Sequence, residues 1–126
     1  MLFRSGDVAR FVNPIFDFVP RRVEHWNIPT DSAKRAAAVI SAMLNKTENY
    51  PAILDEDFKP LPSFWSDQYD NHLLAFGLLS LADKATLVAG SIDDECVFEY
   101  HRGDQLVGVC GIGMRSVVQS YRTRIS

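Results

Sequence analysis

Cysteine is nearly missing from this chain: Cys96 and Cys110 are the only two, with no C-x-x-C between them. That excludes a disulfide framework and fits thiols kept reduced. Long apolar runs are missing too. Stretches such as Leu73 to Leu79, with Gly77 inside, fall far short of the ~20 residues that cross a bilayer, and the N-terminus has no basic-then-apolar signal pattern. A cytoplasmic protein with no membrane partner is expected. Basic excess is also absent: 13 Lys and Arg against 16 Asp and Glu leave a net charge of -3, so no nucleic-acid partner is expected. What is present is an ordinary globular composition, 47% hydrophobic and 11% aromatic over 126 residues. That length supports one modest core, or two very small ones, and excludes a complete dehydrogenase with two nucleotide-binding domains.

Residues 1–23 carry Gly6-Asp7, Asn13-Pro14 and Pro20 without a sustained period, and read as a turn followed by irregular backbone. From Ala33, the apolar positions Ala36, Ala37, Ile40, Met43 and Leu44 recur at steps of three and four, which predicts an amphipathic helix. Pro29 suits its first turn, Asp31 places an acid near its positive end, and Asn45 reads as its stop. Residues 45–63 hold Pro51, Pro60, Pro62 and the acidic run Asp55 to Asp57, so they read as a draped linker and mark a domain boundary near residue 60. Beyond it, Leu73 to Leu79, Ala85 to Ala89, Cys96 to His101 and Leu106 to Ile112 predict four strands of an antiparallel sheet. Met114 to Ile125 then predicts a closing helix, basic through Arg115, Arg122 and Arg124. The expected class is α+β: a small antiparallel sheet with a C-terminal helix (61–126), preceded by a helix and irregular segment (1–60).

Gly103-Asp104 fits a two-residue hairpin loop that pairs Arg102 with Gln105. One face would then collect Cys96, Phe98, Tyr100, Val107 and Val109, with the two thiols on opposite faces. A three-residue loop would set Cys96 opposite Cys110 but mix Gln105 and Glu99 with valines, a poorer separation of inside from outside.

Several patterns imitate functional motifs. Gly111-Ile112-Gly113-Met114-Arg115-Ser116 resembles a dinucleotide-binding turn, but the parallel strand and acid that should follow it are missing; glycines easing a strand-to-helix corner explain it better. Cys96, Cys110, His72 and His101 lack zinc-ligand spacing. Asp7, Glu24 and His25 have no nucleophile in an elbow motif. Asp67 and Asp70 read as turn residues, since no oxygen-rich calcium loop surrounds them.

Three further segments stand in order: Gly6-Asp7-Val8-Ala9, Arg22-Val23-Glu24-His25-Trp26, and Pro62-Ser63-Phe64-Trp65-Ser66-Asp67-Gln68-Tyr69-Asp70. Singly, a Gly-Asp is usually a turn and a Trp usually core. As an ordered set they resemble the C-terminal part of the FAD-dependent NAD(P)H ferredoxin and rubredoxin reductases, the group that includes dioxygenase reductase components and the apoptosis-inducing factor. The resemblance runs from Gly6 onward through nearly the whole chain.

By that resemblance, Gly6 lets backbone come close to FAD while Asp7 accepts hydrogen bonds from its ribityl hydroxyls. Glu24 would lie near the nicotinamide of NAD(P)H, and His25 and Trp26 at the helix start would meet the flavin ring. Trp65 would line the flavin and nicotinamide pocket, with Phe64 beside it as wall. The resemblance implies no catalytic acid or base and no metal here. It also implies that both glycine-rich phosphate turns lie in a preceding part, so the chain reads as a fragment: the tail of an FAD domain (1–60) and a reductase C-terminal domain (61–126), inactive by itself. Arg4, within Met1 to Ser5, stands where the family has an apolar strand, which points the same way. The implied partners are a ferredoxin or rubredoxin and, as a further expectation, a second copy of the chain in a homodimer. The rival expectation is a stand-alone interaction module, whose basic C-terminal helix docks an acidic partner.

Overall fold

The computed structural model describes residues 3–125; Met1 and Leu2, part of the stretch read as a truncated start, and Ser126 lie outside them. The chain divides into two compact units, Met1–Pro60 and Leu61–Ser126. It is a mixed α and β structure, with one two-stranded and one five-stranded antiparallel sheet.

The first unit opens with a single 3-10 turn, Gly6–Val8. A short hairpin follows, β1 (Phe11–Asn13) and β2 (Asp17–Arg21), where the sequence predicted irregular backbone. Pro20 hides this strand from a propensity reading, yet a two-stranded ribbon has room for a residue without an N–H. Asn13 fixes the segment: its side-chain amide donates to the Pro60 carbonyl at 2.7 Å. Helix α1 spans Asn27–Leu44, so Pro29 does sit in its first turn, while Asp31 lies beyond that turn and accepts from the Asn27 amide at 2.9 Å. Its buried residues are Ile28, Ser32, Val39 and Ala42, a stripe rotated from the expected one; Ala37 and Leu44 are exposed. The rotation follows from the early start, because Ile28 and Ser32 set the inward face. The helix ends at Asn45 as expected: the Lys46 N–H donates to Met43 and the Thr47 N–H to Ala42, a Schellman closure with Lys46 at φ +50 where glycine is usual. Within the expected linker lies a further short helix, α2 (Tyr50–Asp55), with Pro51 in its first turn.

The second unit holds β3 (Ser63–Gln68), β4 (Asn71–Gly77), β5 (Lys84–Gly90), β6 (Cys96–Arg102) and β7 (Gln105–Ile112), in the order β3-β4-β7-β6-β5. The four predicted strands are present and β3 is an addition. The closing helix is two short pieces, α3 (Arg115–Ser120) and α4 (Arg122–Ile125). They cover the face that presents Val97, Glu99, Val109 and Gly111. Gly111 has no room for a side chain, since a Cβ there would sit 2.4 Å from a Val118 methyl. Val97, Val107, Val109 and Val118 are wholly buried and form the core of this unit.

The β6–β7 hairpin corrects the expected register. Arg102 pairs with Gln105 as expected, but the ladder slips between Tyr100 and His101, so that Tyr100 faces Gly108, Phe98 faces Cys110 and Cys96 faces Ile112. The Val107 carbonyl instead accepts from the Leu78 N–H at 2.8 Å. One extra residue reverses the facing of everything beyond it. Cys96 and Cys110 therefore share a face, both as free thiols, and Val109 lies on the opposite one.

Candidate functional site

In the first unit the Gly-Asp turn lies against the first turns of α1. The Gly6 N–H donates to the Ser32 hydroxyl at 3.0 Å, and that hydroxyl donates to the Pro29 carbonyl at 3.1 Å. Gly6 has φ +70, a conformation in which an L side chain is strained. Next to it, the Asp7 carboxylate is exposed. Trp26 occupies the N-cap position of α1 with 72% of its surface exposed, and the Ile28 N–H donates to the His25 carbonyl at 2.9 Å, which winds the chain into the helix. Burial pushes the His25 pKa down, so the imidazole is held neutral. Glu24 is ion-paired with Arg22 at the surface. Gly6, Asp7, His25 and Trp26 thus belong to one neighbourhood around the positive end of an 18-residue helix.

In the second unit Phe64 and Trp65 are neighbours on β3, opposite Ala75 and Leu74 of β4. Successive strand residues point to opposite faces, so the two aromatics do not form one wall as expected. Trp65 opens onto a cleft with Leu74, Asp67, His72 and Arg115. Phe64 lines a separate groove with Leu73 and Ile112. Asp67, expected as a turn residue, pairs across the hairpin with the His72 Nδ1 at 2.7 Å.

Sequence reasoning singled out Arg115, Arg122 and Arg124 as a free basic surface, but two of them are engaged within the unit. The Glu99 carboxylate, 15% exposed, accepts from the Tyr121 hydroxyl at 2.7 Å and pairs with Arg124 at 3.0 Å. Arg124 also stacks on the Tyr121 ring, and Arg122 lies over Phe76. Glu99 was missed: one acid inside an apolar strand is the only sign of it. Burial raises the Cys110 pKa, helped by nearby Cys96, so that thiol stays protonated and poorly nucleophilic. Among the described residues no three His, Cys, Asp or Glu side chains gather as metal ligands, and no helix is long and apolar enough to cross a membrane.

The family model for the reductase C-terminal region matches residues 63–126, half of the chain and the whole five-stranded unit with its helices. The chain belongs to the reductase C-terminal family. Solved structures of similar fold include a covalent putidaredoxin reductase–putidaredoxin complex, with 24% identity, a TM-score of 0.72 and coverage of 96% of this chain and 26% of that one. Another is the ferredoxin reductase for the CYP199A2 system from Rhodopseudomonas palustris, with 23% identity, a TM-score of 0.71 and coverage of 94% and 26%. A third, Fdr9, has 24% identity, a TM-score of 0.73 and coverage of 96% and 29%. At these identities the likeness shows the fold, and this reductase C-terminal chain spans between 26% and 29% of their lengths. No curated protein matches the chain.

Proposed function

We propose that this chain is the C-terminal part of an FAD-dependent oxidoreductase that passes electrons from NAD(P)H to a ferredoxin or rubredoxin, in a reducing cytoplasmic compartment. One observation carries the reading: the Gly6-Asp7 turn is fastened to Ser32 of α1, which gathers an exposed carboxylate, a glycine at φ +70 and the mouth of a helix. That donor and acceptor set fits a flavin. Asp7 offers a charged acceptor to the ribityl polyol, where charge-assisted hydrogen bonds are strong and directional. The positive end of the α1 dipole favours negative charge on the flavin's pyrimidine end. Neutral His25 places a polar ring there without a competing cation, and exposed Trp26 supplies a flat apolar cover. We assign Glu24 to the nicotinamide side and, by the family resemblance alone, Trp65 to a flavin-lining role in the parent enzyme. Phe64 lies on the other face of β3 from Trp65. When bound, the flavin supplies the conversion of a hydride into single electrons.

The putidaredoxin complex among the structures of similar fold supports a ferredoxin-type partner. For the interaction-module reading, Arg124 is paired with Glu99, whereas Arg122, over the Phe76 ring, keeps its charge. The proposal is tested by extending the reading frame upstream of Gly6, expressing the full product and assaying NAD(P)H-dependent ferredoxin reduction. Two upstream glycine-rich turns and a yellow, active product are expected. A start codon with its own ribosome-binding site directly before the chain, or an upstream product without flavin, overturns it. The 126-residue chain by itself is expected to show no reductase activity.

A further inference from the structure

The sheet face away from α3 and α4 carries a groove of about 760 Å³ floored by Phe64, Leu73 and Ile112, with Ser66 and Gln68 beside them on β3. Its rim is Asp70 on the β3–β4 turn and Asp93, Asp94 and Glu95 on the β5–β6 loop. Gly113, at φ +63, lies under the Glu95 side chain, whose carboxyl would sit 2.4 Å from a Cβ there. The same acidic loop presents Ile92 with 74% of its surface exposed. Among the described residues no Lys or Arg lines the groove, and the His72 imidazole at its edge is paired with Asp67.

We propose that this groove docks a basic, apolar-alternating segment of another protein, distinct from the electron acceptor. Charge complementarity sets the sign: four carboxylates around an apolar floor reject an acidic surface and favour a cationic one. Shape sets the class. A small molecule is normally enclosed over most of its surface, whereas this groove is half open between the β3–β4 turn and the β5–β6 loop, as suits an extended chain with apolar residues down and Lys or Arg toward the rim. The exposed Ile92 gives such a segment an apolar contact at the edge.

The test uses the full chain, isotope-labelled for NMR, and the acetylated peptide Lys-Ile-Arg-Leu-Lys-Ile-Arg, with a counterpart carrying Glu at each basic position. Saturable shifts at Ile92 to Glu95, Leu73 and Ile112 are expected with the basic peptide alone. Affinity should fall about tenfold in Asp93→Asn/Asp94→Asn, a surface change whose folding is checked from the unshifted remainder of the spectrum. Shifts confined to other surfaces, equal binding of the acidic counterpart, unchanged affinity in the double variant, or equally tight binding of spermine overturns the proposal. No flavin enters this test, so its outcome is independent of the reductase reading.

Discussion

The two units are built to different standards of self-sufficiency. The second closes a five-stranded sheet over α3 and α4, with four valines wholly buried between them. The first has a two-stranded ribbon, α1 and α2, and shows Val8, Phe18, Val19, Trp26 and Leu44 each more than half exposed. A lone hairpin is marginal in water without more strands or a helix to pack on. Structure is concentrated in the second unit, and the candidate flavin groups are concentrated in the first. The proposed flavin surface and the self-contained core are therefore different parts of one chain.

Glycine substitutions should sharpen that contrast most. In the second unit Gly77 has φ +92, and a Cβ would sit 2.2 Å from the Val107 carbonyl oxygen. Gly77→Ala should cost about 4 kcal/mol from backbone strain plus overpacking, read by denaturant unfolding. Gly6 in the first unit also has positive φ, but its nearest neighbour would be 4.0 Å away, so Gly6→Ala should cost only about 1 kcal/mol. Equal costs would break the comparison. Amide exchange follows: β6 and β7 should be protected roughly a hundredfold more than α1 from Val39 to Met43, because exchange tracks local opening. Uniformly slow exchange would show that the first unit needs no further partner.

A smaller effect concerns the latch on the sheet. Glu99→Gln keeps an acceptor for Tyr121 but removes the charge held by Arg124, and should cost about 1 kcal/mol, since the arginine is half exposed. Loosened exchange should be confined to α3 and α4. The smallest effect is a pH dependence. Burial lowers the His25 pKa in the folded chain below its ordinary 6.5, so the unfolded chain binds the extra proton first. Stability should fall as pH drops through 6.5 toward the folded value and recover above it. His25→Gln should flatten that profile; an unchanged profile would assign the loss to other groups.

The strands of the second unit were legible because short apolar runs with Val97, Val107, Val109 and Ile112 flank the Gly103-Asp104 turn, and α1 because its period is sustained. β3 was hidden: Phe64 and Trp65 are adjacent, so the strand has no alternation to read. β1 and β2 were hidden by Asn13-Pro14 and Pro20, and α2 by Pro51, which opens a helix as readily as it breaks one. The bulge at Val107 was beyond sequence reasoning, since it depends on a bond from Leu78, just past the end of β4. Of the candidate site, Gly6, Asp7, His25 and Trp26 were gathered by resemblance to a family. Their physical connection, the hydroxyl of Ser32, left no mark in the pattern.

Flavin content of the upstream-extended product tests the central claim most directly. Purified beside its unmodified counterpart, the Asp7→Ala variant should fold, as judged by unchanged β6 and β7 exchange, yet retain little flavin absorbance, with excess FAD restoring it in part. Full flavin occupancy in that variant would contradict the account, because the carboxylate beside Gly6 would then have no part in holding the cofactor.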